Sequence, residues 1–195
     1  MKAVVDIKTG HAEPWAALQT AAYSAMACLP RALKEGANFS PDNHSYTHEG
    51  IVYPSVTQIL QAEGFINTDW YDDYSRDRGS LVHLTTHYDD TEELDEESVD
   101  DVIWPYLKAW RKFKKETGFV IEQIEVPLVN PAFSYAGTPD RIGTFPNQIF
   151  TRCAVELHND GKYKIVPHTD KNDHNVFMAA VACFHWKQNN NIKRR

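Results

Sequence analysis

The sequence has no long hydrophobic run and no leader-like start. No apolar stretch among its 195 residues approaches the roughly 18–20 residues that are needed to cross a bilayer. Lys2 and Asp6 stand where a signal peptide would be apolar. We therefore expect a soluble, cytoplasmic protein without a membrane partner, and a chain of this length fits a single globular domain over 1–195.

Paired cysteines and a net positive charge are also absent. The three cysteines, Cys28, Cys153 and Cys183, form no C-x-x-C pair, which excludes four-cysteine zinc and iron–sulfur sites. We expect all three to be buried free thiols. The net charge of −7 argues against non-specific electrostatic binding of nucleic acid by the whole protein. The acid-rich stretch 89–101 contains no basic residue, and it leaves open a solvated loop or a DNA-mimicking role.

The sequence does contain a regular succession of strand and helix signals. Strands are predicted over 2–8, 120–129, 134–144, 153–157 and 163–167, with a short hairpin over 44–53. Helices are predicted over 14–26, 55–60, 80–88, 98–116 and 173–184, with Ser55 and Asp173 as N-caps and Gly118 as a stop. Pro105 leaves a later start of the fourth helix open. The predicted fold class is α/β (mixed α+β), with a central mixed sheet and helices on both sides.

Two short segments carry the residues best suited to chemistry. The stretch 135–143 places Asp140 near the end of a predicted strand. The first strand carries Asp6 and Lys8, which are two residues apart and therefore point to one face. A divalent cation bridging Asp6 and Asp140 beside Lys8 would compensate these charges and support phosphodiester hydrolysis. The structural alternative is an Asp6–Lys8 pair and a turn capped by Asp140.

These segments resemble the motifs of the PD-(D/E)XK nuclease superfamily. Pro139-Asp140 is similar to its PD element, and Asp6-Ile7-Lys8 is similar to its (D/E)XK element. The resemblance implies a restriction-endonuclease-like core.

Further segments resemble the RecB-like and phage-exonuclease-like branch of that superfamily. Gln19 and Tyr23 are similar to its Q-x-x-x-Y element, and the stretch from Arg78 to His83 is similar to its G-x-x-x-H element. The segments 54–60 and 152–163 resemble those of phage and prophage members.

The resemblance implies a site for Mg²⁺ or Mn²⁺, with two ions when substrate is bound. The implied ligands are Asp140, Asp6, the carbonyl oxygen of Ile7, His83 and, as a further ligand or supporting acid, Glu125. Hard oxygen donors of this kind suit both ions.

The resemblance also implies roles for the remaining motif residues. Lys8 would position the attacking water and complete the catalytic set with Asp140 and Asp6. Gln19 and Tyr23 would hold the substrate phosphate or orient the site, and Arg78 would contact a phosphate.

The order of the segments differs from that of the superfamily, in which the PD strand comes first. Here 1–30 would be a displaced block with the D-x-K strand and the Q-x-x-x-Y helix. It is followed by 37–145, with the PD strand hairpin, and 150–188, with a C-terminal hairpin and helix. The order could be natural, engineered or a sign of strand exchange between subunits. A reading without rearrangement takes Glu156-Leu157-His158 as a degenerate E-x-K.

The implied function is that of a metal-dependent deoxyribonuclease, and an exonuclease of phage or prophage recombination or repair is the leading expectation. DNA would be the main partner, and a single-strand annealing or recombination protein and further copies of the chain would be others. The alternative is a catalytically inactive nuclease-like fold that binds nucleic acid or a recombination partner. His83 and His87, four residues apart on a predicted helix, leave a zinc site as a minor alternative.

Overall fold

The computed structural model of the protein describes residues 2–30, 36–41, 45–67, 72–147 and 150–192. Within them the strands are β1 (Lys2–Thr9), β2 (Asn38–Ser40), β3 (Ser45–His48), β4 (Ile51–Tyr53), β5 (Val120–Ile124), β6 (Leu128–Asn130), β7 (Tyr135–Gly137), β8 (Arg141–Thr144), β9 (Arg152–Leu157) and β10 (Tyr163–Pro167). The α-helices are α1 (Trp15–Ala27), α2 (Val56–Ala62), α3 (Asp73–Asp90), α4 (Trp104–Thr117) and α5 (Asn172–Asn189), with a 3₁₀ turn at Glu96–Ser98. The first residue of the hairpin predicted over 44–53 lies outside the described residues.

The main sheet has five strands in the order β10-β9-β1-β8-β5. β1 is parallel to β9 and antiparallel to β8, so the sheet is mixed, as predicted. β5 and β10 extend it at the two edges by antiparallel pairing. The N-terminal strand therefore occupies the centre of the sheet, between two strands from the last third of the chain. Two small sheets, β2-β3-β4 and β6-β7, lie outside it.

Alternation along β1 divides the core into two layers. Val4 faces a cluster that includes residues of α1, α2 and α5, whereas Ala3, Val5 and Ile7 face a cluster with residues of α3 and α4. Because successive side chains of a strand point to opposite faces, a strand buried on both sides reads as a continuous apolar run. The prediction of helices on both sides of a mixed sheet is confirmed.

Several helix boundaries follow the predicted signals. Ser55 caps α2 in a reciprocal arrangement with Gln58, in which each side chain accepts a hydrogen bond from the other residue's backbone N–H. Gly118 ends α4 in the left-handed conformation with φ of 66°. α4 begins at Trp104, so Pro105 lies in its first turn and the predicted start at residue 98 is wrong.

Two other predicted helices are present, but the start of one and the N-cap of the other differ from the prediction. α3 begins at Asp73 rather than at residue 80, because Asp72 caps it by accepting a hydrogen bond from the Ser75 backbone. The first turns of α3 are too polar to show an apolar stripe, so the sequence pattern does not indicate this start. α5 begins at Asn172 without a side-chain cap, and the Asp173 carboxylate lies 3.1 Å from Arg152 instead.

Two long predicted strands are each broken in two. The strand predicted over 120–129 is interrupted where Glu125 adopts a positive φ of 49°. The strand predicted over 134–144 is interrupted at 138–140, between β7 and β8. Alternating apolar residues on both sides of each break hide it in the sequence, and the second break is where Asp140 lies.

The cysteines are only partly as expected. Cys153 is buried in β9, and its burial raises the pKa of the thiol well above the usual range. Cys28 and Cys183 are exposed, so the expectation of three buried thiols is wrong. None of the described helices is both long and apolar enough to cross a membrane.

Candidate functional site

The candidate site lies where β1 extends beyond its neighbour β8. The last paired residues are Val5 and Arg141, so the segment from Asp6 to Lys8 has no β8 partner on that side. Asp140 takes its place: its Oδ2 accepts a hydrogen bond of 2.7 Å from the Ile7 backbone N–H. The PD and D-x-K segments, far apart in the sequence, therefore meet within one chain.

Asp6 is a buried carboxylate whose charge is incompletely compensated. Its residue is 3% exposed, and Lys8 Nζ lies 3.0 Å from Oδ2. That oxygen nevertheless accepts no hydrogen bond of ordinary geometry among the described residues. Burial, together with the negative charge of Asp140, raises the pKa of Asp6 to about 7, although Lys8 acts in the opposite direction. Two adjacent carboxylates in a buried place favour a cation between them.

Lys8 is held from α1. Its Nζ lies 4.8 Å from the centroid of the Trp15 ring and 3.5 Å from Gln19 Oε1. Gln19 Nε2 in turn donates to the Tyr23 hydroxyl at 3.1 Å. Tyr23 is buried, and burial raises its pKa well above the usual range. Of the two predicted roles, orienting the site therefore suits Tyr23 better than direct contact with a phosphate.

His83 approaches the site from α3. Its Nδ1 lies 3.8 Å from Asp140 Oδ1, and its side chain is 34% exposed. Gly79, one turn earlier, faces the end of β1, and a Cβ there would lie at an ordinary contact distance of 3.6 Å from Thr9 Oγ1. The G-x-x-x-H segment thus brings an accessible imidazole beside Asp140.

Several groups at this place could serve as ligands of a divalent cation. They comprise the carboxylates of Asp6 and Asp140 and the carbonyl of Ile7, which points to the same side as the Ile7 N–H because the strand is extended. His83 adds a nitrogen beside them. Within the described ranges, no three His, Cys, Asp or Glu side chains form a group that could hold a metal ion. The oxygen donors among these groups are of the hard kind that Mg²⁺ and Mn²⁺ prefer.

Glu125 contacts Asp140 through the backbone. Its backbone N–H donates to the Asp140 carbonyl at 3.1 Å, while its side chain contacts Arg141 at 3.4 Å and His87 at 3.1 Å. This placement suits the expected supporting acid better than a direct ligand. His83 and His87 face different carboxylates, so their contacts give no support to a shared zinc ion.

Arg78 does not join this group through any contact of the described residues. It lies 5.5 Å and 5.9 Å from the ring centroids of Tyr74 and Tyr106. Phosphate binding by Arg78 therefore stays a prediction without a geometric link to the carboxylates.

The degenerate E-x-K reading receives no support from the topology. β1 lies between β8 and β9, so it separates Glu156 from the Asp140 segment. Both Glu156 oxygens are occupied, by His11 and the Ala12 backbone on one side and Lys164 on the other. These partners hold the pKa of Glu156 below its usual value in spite of desolvation.

Sequence reasoning missed one pair behind the site. Arg141 and Asp90 are fully buried, and Arg141 Nε lies 2.7 Å from Asp90 Oδ2. An arginine directly after a candidate ligand, pointing to the opposite face of an apolar strand, was the available signal. No family model matches the sequence, and a search of curated proteins finds no significant match.

Proposed function

We propose that the protein is a divalent-metal-dependent deoxyribonuclease of the PD-(D/E)XK type. The observation that carries the proposal is the hydrogen bond from the Ile7 backbone to Asp140, which joins the two separated halves of the motif beside Asp6 and Lys8. A purely structural Asp6–Lys8 pair would not explain why a second carboxylate lies against the same buried acid.

The chemistry follows from the donors. Asp6, Asp140, the Ile7 carbonyl and His83 would hold Mg²⁺ or Mn²⁺, two ions with substrate bound. A bound cation of this kind neutralises phosphoryl charge and lowers the pKa of a coordinated water. Lys8 presents its ammonium beside Asp6, where it can orient the attacking water and stabilise negative charge on the phosphate. Gln19 and Trp15 keep that ammonium in place.

The fold supports a more specific proposal. A restriction-endonuclease-like core, with the D-x-K block moved to the N-terminus, agrees with β1 lying between β8 and β9 of its own chain. We further propose a cytoplasmic exonuclease of phage or prophage recombination or repair, with DNA as substrate and an annealing or recombination protein as partner. The resemblance of residues 54–60 and 152–163 to phage members supports this choice.

Two substitutions test the proposal. With Mn²⁺ present, Lys8→Ala and Asp140→Asn should each lower cleavage of linear DNA by at least about 100-fold, because the first removes a positive charge beside the reacting phosphate and the second removes a proposed ligand of the cation. Lys162→Ala and Asp160→Asn, at an exposed hairpin turn, are the matched controls and should cleave as the wild type does.

Unfolding curves and far-UV circular dichroism should show that all four variants fold. Full cleavage by both site variants would overturn the proposal. A wild type that binds DNA and Mn²⁺ without cutting would instead favour the inactive nuclease-like alternative.

A further inference from the structure

We propose that Arg141, held by Asp90, is a positioning residue that fixes the Asp140 carboxylate on the Ile7 backbone and thereby sets the metal affinity of the site. The inference deepens the proposed function and rests on it. It starts from a buried charge pair that the motif does not include.

Both side chains of the pair are completely buried, and each makes several polar contacts. The side chains of Arg141 and Asp90 are both 0% exposed. Besides Arg141, the carboxylate of Asp90 accepts hydrogen bonds from Trp110 Nε1 at 2.9 Å and 3.1 Å, and it pairs with Lys114. The guanidinium also lies over the Trp110 ring, with its carbon 5.8 Å from the ring centroid. Its position is therefore determined from α3 and α4.

From this fixed position the guanidinium reaches the segment that carries Asp140. Nη1 donates to the Asp140 carbonyl at 2.7 Å and lies 3.4 Å from Glu125 Oε1. Nη2 lies 3.5 Å from Thr86 Oγ1, one turn after His83 on α3. One side chain thus connects the Asp140 segment, the Glu125 bend and the helix that carries His83.

The location of these contacts matters because the backbone is irregular there. Residues 138–140 belong to neither β7 nor β8, so the ladder does not fix the direction of Asp140. The Asp140 carbonyl accepts from Arg141 and from the Glu125 backbone, and its carboxylate accepts from Ile7. Holding the carbonyl therefore restrains the backbone from which the carboxylate reaches Ile7.

Stability alone is a weak reason for such a pair. A buried ion pair is often no more stabilising than apolar residues of similar volume, because both charges must be desolvated. A planar guanidinium with several donors can, however, hold two acceptors in a fixed relative geometry. That geometric property is what Asp140 requires.

The test replaces the pair without leaving a buried charge. Arg141→Met combined with Asp90→Asn removes both charges and leaves an amide oxygen to accept from Trp110. The matched control is Arg111→Met combined with Asp89→Asn, a neighbouring pair that joins α3 and α4 and does not contact Asp140. Asp140→Asn is the reference for a lost ligand.

Three readouts separate positioning from folding. In the metal-free protein, hydrogen exchange of the Ile7 amide should become at least about 10-fold faster in the Arg141/Asp90 variant and stay unchanged in the control. Titration with Mn²⁺ alone should show at least about 10-fold weaker binding by the Arg141/Asp90 variant, whereas the control should bind Mn²⁺ as the wild type does. Cleavage should lose kcat while KM for DNA changes little.

Arg141→Lys addresses the case in which the double variant fails to fold. It keeps the charge, but one ammonium does not reproduce the fork between Asp90 and the Asp140 carbonyl. Ile7 exchange and Mn²⁺ affinity should therefore shift in the same direction. Wild-type values for both in a folded Arg141 variant overturn the inference.

The two proposals fail in different ways. If the wild type binds no Mn²⁺ and cuts no DNA, the proposed function and this inference both fall. If Mn²⁺ binding is lost in Asp140→Asn but kept in the Arg141 variants, only the role of Arg141 is overturned.

Discussion

At the scale of single residues, Lys8 shows how a charged group can be held beside a buried acid. Its ammonium contacts Asp6, an amide oxygen of Gln19 and the face of Trp15, and it is still 21% exposed. A lysine that is largely enclosed in this way remains reachable from solvent. It is well placed to meet a water molecule and a phosphate that arrive from outside.

His168 provides a prediction about pH. Burial, and secondarily the positive charge of Arg152, lowers its pKa to about 4, while Thr20 Oγ1 lies 2.8 Å from its Nδ1. The unfolded chain takes up a proton near pH 6.5 and the folded chain does not until about pH 4. The free energy of unfolding should therefore fall as the pH is lowered through this window.

The measurement compares denaturant unfolding of the wild type and His168→Asn at several pH values from 7 to 4.5. Asparagine can keep a hydrogen bond to Thr20 but does not titrate. The stability difference between the two proteins should change in favour of the variant as the pH falls. Parallel curves over the whole range would contradict the lowered pKa.

The motif residues could be found from the sequence, but their support could not. Asp6, Lys8 and Asp140 stand in short patterns with a chemical meaning. Arg141 and Asp90 are distant in sequence and have no such pattern, and only the packing of α3 against the main sheet makes them partners. Long-range pairing of charges is set by tertiary structure, which residue spacing does not reveal.

At the scale of elements, a close contact between α1 and β7 sets the position of the Q-x-x-x-Y segment. A Cβ built on Gly137 would lie 2.6 Å from Cε1 of the Tyr23 ring and 3.3 Å from Cγ2 of Val56. The glycine therefore provides the space in which the tyrosine ring lies. Its presence two residues before Pro139 links the two motifs physically.

Gly137→Ala should destabilise the protein by about 1–3 kcal/mol, because the buried ring and the strand must move apart. Thermal or denaturant unfolding measures the effect. Gly79→Ala is the matched control, since its Cβ would meet Thr9 Oγ1 at an ordinary 3.6 Å within a helix. It should be neutral or stabilising by up to about 1 kcal/mol. Equal stabilities of the two variants would contradict the close contact.

The elements themselves were predictable where one local signal controls them. Ser55 and Gly118 lie where their chemistry predicts. The breaks in the two long predicted strands could not be predicted in this way, because the bend at Glu125 depends on its backbone hydrogen bond to Asp140. Local periodicity does not contain that contact.

At the scale of the whole molecule, the topology shows that a single chain is sufficient to assemble the candidate site. β1 pairs with β8 and β9 of its own chain, so Asp6 and Asp140 of the candidate site belong to the same molecule. Exchange of the strand between subunits is not required to assemble the site.

A mixing experiment tests this arrangement. Asp6→Asn and Asp140→Asn proteins, each inactive alone, should stay inactive after they are unfolded together and refolded as a mixture. Exchange of β1 between two chains would restore about a quarter of the wild-type sites. Activity measured on linear DNA with Mn²⁺ decides between the outcomes, and refolded wild type is the control for recovery.

The central place of β1 also has a consequence for synthesis on the ribosome. β1 is an apolar strand whose partners, β8 and β9, are synthesised only after residue 140. A nascent chain therefore carries an unpaired, aggregation-prone strand for most of its translation. Truncated chains that end before β8 should need chaperone binding to remain in solution, whereas chains that extend past β10 should not.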